Sequence, residues 1–119
     1  MDSDVGRNAM PGLIMLCAAR IVRAGAPVRV ERGGTAYAVF NLDGAWHVTQ
    51  DECTHGPGSL SEGWAEGDEI ECPFHQGRFH IPTGQPTAPP CTIPLRVWPV
   101  HLINEEIWID TTEGGSSSC

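Results

Sequence analysis

The chain has 119 residues, of which 40% are hydrophobic, and seven basic against fifteen acidic residues give it a formal net charge of −8. This length suits one domain with a modest core and excludes a second catalytic module. No cluster of lysine or arginine is present to neutralise a phosphate backbone, so we expect no nucleic-acid partner. An acidic surface is ordinary for a solvated protein, and it would equally steer encounters with basic patches on partner proteins.

The first apolar segment runs from Leu13 to Ala19 and resembles a weak signal-peptide core, with Arg7 as its charged flank. Asp2 and Asp4 also precede it, however, and the segment continues directly into a strand-like pattern. We therefore interpret it as part of the folded domain. No stretch approaches membrane-spanning length, which predicts a cytoplasmic protein without a membrane partner.

Fourteen glycines and ten prolines interrupt short apolar runs along the whole chain. Short apolar runs separated by glycine and proline favour an all-β domain that is rich in loops and poor in helix. The two ends are short, polar and glycine-containing. We expect flexible tails at residues 1–12 and 111–119 around a single domain at residues 13–110.

Strand-like patterns dominate the first half of the chain. The candidates are Val28–Glu31, Tyr37–Leu42 and Ala45–Thr49. Asp43-Gly44 between the last two is a strong signal for a two-residue hairpin. In that register one face carries apolar residues that we expect in the core: Tyr37, Val39, Trp46 and Val48.

A second hairpin is predicted near the end of the chain, from Val97–Ile103 and Ile107–Asp110 around Asn104-Glu105-Glu106. Pro99 cannot donate a hydrogen bond to a ladder, so it predicts an edge strand or a bulge. Between the two hairpins, from Asp51 to Pro94, the apolar alternation fades and Gly, Pro, His and Cys dominate. This composition is typical of loops that a cofactor organises.

Two short motifs in that middle segment each offer one thiolate and one imidazole. Cys53-Thr54-His55 is separated by sixteen residues from Cys72-Pro73-Phe74-His75. Structural zinc sites more often take their ligands as Cys-x2-4-Cys and His-x3-5-His pairs. One cysteine and one histidine on each loop suit two sulfide-bridged irons, one bound by both cysteines and the other by both histidines, which is the Rieske arrangement.

The motifs C-T-H-G-P-G-S-L-S-E-G, C-P-F-H-Q-G-R-F and P-L-R-V-W-P-V resemble those of the Rieske ferredoxins of bacterial aromatic-ring dioxygenases. The resemblance covers roughly Leu13 to Asp110. It implies an antiparallel β-sandwich-like base with a small cluster-binding subdomain of two hairpin loops, and a proline-rich third loop, matched by Pro82 to Pro94, that covers the cluster. Cys53, His55, Cys72 and His75 would then bind one [2Fe–2S] cluster as its metal ligands.

By the same resemblance the chain would catalyse no reaction of its own. It would be a one-electron carrier between an NAD(P)H-dependent flavin reductase and a terminal Rieske non-haem iron oxygenase that dihydroxylates aromatic compounds. Nothing in the sequence suggests a large apolar patch, so we expect a monomer. Respiratory Rieske proteins have an extra disulfide and a hydroxyl donor where this chain has Gly58, Phe74 and Gly77. We therefore expect a potential near the low end of the Rieske range of about −150 to +300 mV. Gln76 stands where the family often has glycine, and its side chain would affect solvent access.

The remaining histidines, tryptophans and cysteines need no role in the site. We assign none to His47, His80 or His101, and we place Trp46, Trp98 and Trp108 in the core. The odd count of five cysteines argues against a disulfide framework. Cys17 and Cys91 are expected as small buried hydrophobes and Cys119 as an incidental thiol. Trp64, in an acidic glycine-rich segment, fits partner docking, although packing within the loop is the commoner outcome.

Two other functions fit some of these residues. A fragment of a terminal oxygenase would share the ligand spacing, but oxygen activation also needs a 2-His-1-carboxylate iron site. Only His47, His80 and His101 are left to build one, and they form no helical pair. A structural zinc protein is the second alternative, and the absence of visible colour would identify it.

Overall fold

The computed structural model describes residues 12–54, 58–73, 77–88 and 93–111. Within them the chain forms short antiparallel strands and two 3-10 turns, Ala19–Ile21 and Leu60–Glu62. The strands are β1 Leu13–Ala18, β2 Val28–Arg32, β3 Thr35–Leu42, β4 Ala45–Gln50, β5 Trp64–Glu66, β6 Glu69–Glu71, β7 Arg78–His80, β8 Pro86–Ala88, β9 Val97–Trp98, β10 Val100–Ile103 and β11 Glu106–Asp110. The all-β prediction is confirmed.

The base of the molecule consists of two sheets with strand orders β1-β11-β10 and β2-β3-β4-β9. They share one hydrophobic core, whose larger members are Leu16, Val22, Val30, Tyr37, Val39, Val48, Trp98, Ile107 and Ile109. Of the four side chains predicted on one face, Tyr37, Val39 and Val48 are buried in this core, and Trp46 packs against its edge. The predicted face is therefore confirmed.

The first predicted hairpin is formed by β3 and β4, with Phe40 opposite His47. Its turn residues Asp43 and Gly44 have φ values of 56° and 87°. Positive φ at both central positions gives the turn a twist that matches the flanking strands, and Asp and Gly tolerate it. The amide of Gly44 also donates to the side-chain oxygen of Asn41 at 2.8 Å, which fixes the turn.

Pro99 interrupts the second predicted hairpin at a change of sheet. β9, before it, pairs with β4, and β10, after it, pairs with β11. Both strands lie at the edges of their sheets, as expected for a segment in which one residue cannot donate a hydrogen bond. The hairpin turn itself is at Asn104 and Glu105, which have φ values of 52° and 63°.

A third sheet, with strand order β5-β6-β7-β8, forms the middle of the chain, where sequence patterns indicated only loops. It packs on the other face of β3, because Ala38 and Phe40 point away from Tyr37 and Val39 into a second core. That core also contains Leu60, Ile70, Phe79, Ile81 and Leu95. β3 is thus buried on both faces and joins the base to the smaller subdomain.

The first apolar segment is strand β1, which pairs with β11 and has a bulge between Met15 and Cys17. The Arg32 side chain donates to the carbonyls of Met15 and Leu16 at 3.1 and 2.9 Å, so it satisfies backbone groups near the bulge. Cys17 is buried, as predicted, and burial raises the pKa of its thiol. Cys91 and Cys119 lie outside the described residues.

The predicted tails lie almost entirely outside the described residues. Their innermost members, Gly12 and Thr111, are described: the Thr111 amide donates to the Gly12 carbonyl at 2.9 Å and continues the contact between β1 and β11. No helix in the described part of the chain is long and apolar enough to cross a membrane.

Candidate metal centre

The two cysteine motifs begin hairpin loops that are closed in the same way. The amide of Cys53 donates to the carbonyl of Gly58 at 3.0 Å, and the amide of Cys72 donates to the carbonyl of Gly77 at 2.8 Å. Each closure therefore joins a cysteine to the residue five positions later. The two loops present their cysteines at equivalent positions, which is what one binding site between two loops requires.

Both cysteine side chains lie in the apolar core of the small subdomain. Cys53 is 3% exposed and Cys72 is fully buried, and both belong to the cluster that contains Leu60, Ile70 and Phe79. Two buried sulfur atoms, one from each of two matching loops, fit the side of an iron–sulfur cluster that cysteines bind. His55 and His75, the predicted imidazole ligands, lie outside the described residues, as do Phe74 and Gln76.

Glycines near the loops allow conformations and contacts that other residues would not. Gly58 has a φ of 150°, a value that favours glycine. Gly63 has no room for a side chain, because a Cβ atom at this position would lie 1.9 Å from the carbonyl oxygen of Glu71. Glu71 directly precedes Cys72, so the chain that leaves the first loop packs against the peptide that enters the second.

The third loop contacts the first through a hydroxyl group that the sequence did not single out. Thr54, between two predicted ligands, donates from Oγ1 to the carbonyl of Ile93 at 2.6 Å. Deeper in the loop, the Leu95 amide donates to the carbonyl of Gly84 at 2.8 Å. The predicted covering loop, Pro82 to Pro94, is described except for residues 89–92. Its described end thus lies against the loop that begins at Cys53.

The buried carboxylate of Asp51, two residues before Cys53, was not predicted from the sequence. Asp51 is 2% exposed and accepts a hydrogen bond from the Ser61 amide at 2.9 Å and from Arg29 Nε at 3.2 Å. It also accepts one from the Ser59 hydroxyl. Its position in the sequence did not indicate burial, because an aspartate at the end of a strand is usually a solvated turn residue.

The outer face of the small sheet is acidic and carries one arginine that binds several carboxylates. Arg78 forms ion pairs with Glu66, Glu69 and Glu71 at 3.2, 3.4 and 3.0 Å. Hydrogen bonds to Glu66 and Glu69 raise the pKa of the Arg78 guanidinium. Trp64 pairs with Glu71 across the sheet and is 63% exposed. The packed position that we considered commoner for Trp64 is therefore wrong, and its side chain is available to a partner.

Two of the other histidines, His80 and His47, interact with groups near them in the fold. His80 is hydrogen-bonded to Thr83 through Nδ1 at 2.9 Å and to Asp68 through Nε2 at 3.0 Å. Desolvation, with a smaller contribution from nearby His80, lowers the pKa of His47 in β4.

Comparison with known proteins places this architecture in a family. The profile of the Rieske [2Fe–2S] domain matches residues 12–99. Ferredoxin CarAc of Metapseudomonas resinovorans is 44% identical over 97 residues, which are 81% of this chain and 91% of that protein.

Two solved structures have the same fold. Sphingomonas yanoikuyae B1 ferredoxin superposes with a TM-score of 0.80 at 43% identity, covering 82% of this chain and 96% of that one. The second comes from a complex of reduced oxygenase and oxidised ferredoxin in carbazole 1,9a-dioxygenase. It has a TM-score of 0.80 at 41% identity and covers 86% of this chain and 95% of that one. The chain therefore belongs to the Rieske [2Fe–2S] family and, within it, to the ferredoxin components of aromatic dioxygenase systems, which transfer electrons and are not catalytic.

Proposed function

We propose that Cys53, His55, Cys72 and His75 bind one [2Fe–2S] cluster, with both cysteines on one iron and both histidines on the other. The observation that carries this proposal is the pair of matching hairpins, which present buried cysteines at equivalent positions of one core. When bound, such a cluster accepts and releases one electron. Neutral histidines keep the total charge less negative than four thiolates would, so reduction is easier than in a plant-type ferredoxin.

We further propose that the protein carries electrons from an NAD(P)H-dependent flavin reductase to a terminal oxygenase that dihydroxylates an aromatic compound. Likeness to a ferredoxin solved with its oxygenase supports the oxygenase as acceptor. The reductase follows from the chemistry, because a hydride donor gives two electrons and a flavin can pass them singly to a one-electron carrier.

The surface properties suit brief encounters with both partners. A formal charge of −8 favours fast, salt-sensitive association with basic patches. Exposed Trp64 and Ile93 offer apolar contact on the subdomain that holds the ligand loops. We propose a cytoplasmic monomer whose Rieske domain spans residues 13–110, with no nucleic-acid or membrane partner.

The ligand assignment is tested by His55→Cys, with His80→Cys as the matched control. A thiolate in place of a neutral imidazole adds negative charge to the cluster, so His55→Cys should retain a cluster and lower its midpoint potential. His80→Cys alters a histidine outside the proposed ligand set and should leave the potential unchanged. Equal potentials in wild type and His55→Cys would contradict the assignment.

Electron transfer is tested by mixing the reduced protein with a purified dioxygenase oxygenase component in a stopped-flow instrument. The cluster absorbance should return to that of the oxidised form as the oxygenase is reduced. A flavin reductase with NADH should restore the reduced form. A protein that a reductase reduces but no oxygenase oxidises would contradict the proposed acceptor.

A further inference from the structure

We propose that the Asp51 carboxylate is the positioning group of the first ligand loop and makes the reduced cluster less favourable through its buried negative charge. The inference rests on the proposed function, in which Cys53 and His55 are ligands. Asp51 binds no iron in this proposal. It acts through the backbone and hydroxyl groups that determine where the loop begins and ends.

The two ligand loops differ in how their ends are held together. The second loop continues a regular ladder between β6 and β7, in which Glu71 pairs with Arg78 and Ile70 with Phe79. The first loop has only an isolated bridge between Glu52 and Ser59 among the described residues. An isolated bridge leaves fewer backbone hydrogen bonds to fix the ends of the loop, so another interaction must supply that restraint.

The Asp51 side chain supplies it. One carboxylate oxygen accepts from the Ser61 amide, and the other accepts from the Ser59 hydroxyl and from Arg29 Nε. Ser59 and Ser61 lie just beyond the end of the loop, whereas Asp51 lies just before its start. The carboxylate therefore connects the two ends of the loop in place of a ladder.

The same residue fixes the loop to the base of the molecule. The Asp51 amide donates to the carbonyl of Ala36 in β3 at 3.1 Å, and its carbonyl accepts from the Leu60 amide at 2.7 Å. Arg29, in β2, adds an ion pair at 3.2 Å. These contacts hold the first loop in register with the two-sheet core, and the second loop is fixed separately by its own sheet.

The negative charge of Asp51 is poorly screened by solvent because its side chain is buried. The side chain is 3% exposed, whereas that of Arg29 is 47% exposed and also binds Glu31 at 2.6 Å. Solvent and Glu31 offset much of the positive charge of Arg29, so the buried carboxylate is screened less than its partner. A negative charge near the first loop opposes the addition of an electron, and its removal should raise the midpoint potential.

The test compares Asp51→Asn with Glu31→Gln, since both substitutions remove a carboxylate charge that binds Arg29 and only the first alters the group that contacts Ser59 and Ser61. Asparagine keeps one acceptor oxygen for the Ser61 amide but places an NH2 donor where the second carboxylate oxygen accepts from Ser59 and Arg29. For Asp51→Asn we expect a raised midpoint potential, altered g-values in electron paramagnetic resonance of the reduced protein, and about 10- to 100-fold faster release of iron to a chelator. Glu31→Gln should match wild type in all three.

Wild-type values for Asp51→Asn would overturn the proposal, as would equal shifts in the two variants. Ser59→Ala tests the positioning role if Asp51→Asn does not fold, because it keeps the Asp51 charge and removes the Ser59 hydroxyl, which contacts both the Asp51 carboxylate and the Ser61 hydroxyl. It should release iron faster than wild type with altered g-values, and wild-type behaviour of a folded Ser59→Ala would overturn the positioning role. Absence of a Rieske signal from the wild-type protein would instead refute the proposed function.

Discussion

Gly63 illustrates how a single residue can control the geometry of the site without touching it. A Cβ at this position would collide with the Glu71 carbonyl, whose neighbour in the chain is Cys72. Gly63→Ala must therefore separate the first loop from the second. We expect a loss of about 3 kcal/mol or more in the free energy of unfolding, measured by urea denaturation, together with a lower iron content.

A second glycine provides the control for this substitution. Gly67 has a φ of 62° but no atom within 4 Å of the place that a Cβ would occupy, and asparagine tolerates that conformation. Gly67→Asn should therefore cost less than about 1 kcal/mol and keep the wild-type iron content. Similar losses of unfolding free energy and iron content in Gly63→Ala and Gly67→Asn would contradict a role for the close approach of Gly63 to the Glu71 carbonyl.

Thr54 makes the hydroxyl contact between the loop that begins at Cys53 and the third loop. Thr54→Val keeps the shape of the side chain and removes the hydrogen bond to the Ile93 carbonyl. A hydrogen bond of this kind contributes about 1 kcal/mol, so we expect iron release to a chelator to be roughly fivefold faster. Thr83→Val removes hydroxyl contacts with His80 and the Gln85 amide, neither of which joins the third loop to the loop that begins at Cys53, and it should release iron at the wild-type rate. Equal rates for wild type and Thr54→Val would contradict the role of the contact.

Residue patterns revealed the cysteine and histidine motifs but not the residues that hold the two loops in place. The paired motifs predict ligands because few other sites need one cysteine and one histidine on each of two loops. Asp51, Thr54 and Gly63 gave no comparable signal, since their roles depend on contacts with residues far away in the chain. A carboxylate, a hydroxyl and a glycine in a loop are otherwise ordinary turn residues.

At the scale of elements, the long strands of the base were predictable and the short strands of the small subdomain were not. β3 and β4 are long enough to be recognised as strands, and Asp43-Gly44 determines their turn. β5 to β8 have three residues each, too few to establish a period of two. The near-continuous apolar run of β3 also has a physical reason, because both of its faces are buried.

Strand β4 carries a histidine that should make stability depend on pH. Desolvation lowers the pKa of His47 below that of a solvated imidazole, about 6.5, so the unfolded state binds a proton more readily than the folded state. Stability should therefore be highest above about pH 6.5 and fall as the pH decreases through and below that value. Urea denaturation at pH 7.5 and 5.5 should show a smaller loss in His47→Gln than in wild type. An identical loss in the two proteins would contradict this explanation.

At the scale of the whole molecule, excess negative charge and an exposed aromatic side chain should govern partner encounters. The rate of electron transfer to an oxygenase should fall as salt rises from about 50 to 500 mM, because salt screens attraction between the acidic carrier and a basic docking surface. Trp64→Ala should weaken docking by about three- to tenfold in apparent affinity, measured by the dependence of the rate on carrier concentration.

The matched control for docking is Ile21→Ala, which truncates another exposed apolar side chain, 49% accessible, on the base of the molecule. It should leave the rate and its salt dependence unchanged. An equal effect of the two substitutions, or a rate that does not respond to salt, would contradict docking through the acidic subdomain that carries Trp64.

The central claim is that this fold holds a Rieske cluster of low potential, and potentiometric titration of the purified protein monitored by electron paramagnetic resonance tests it most directly. We predict a Rieske signal in the reduced form and a midpoint near the low end of the range of about −150 to +300 mV. A midpoint near the high end would indicate quinol chemistry instead. A colourless protein with bound zinc and no signal would contradict the claim outright.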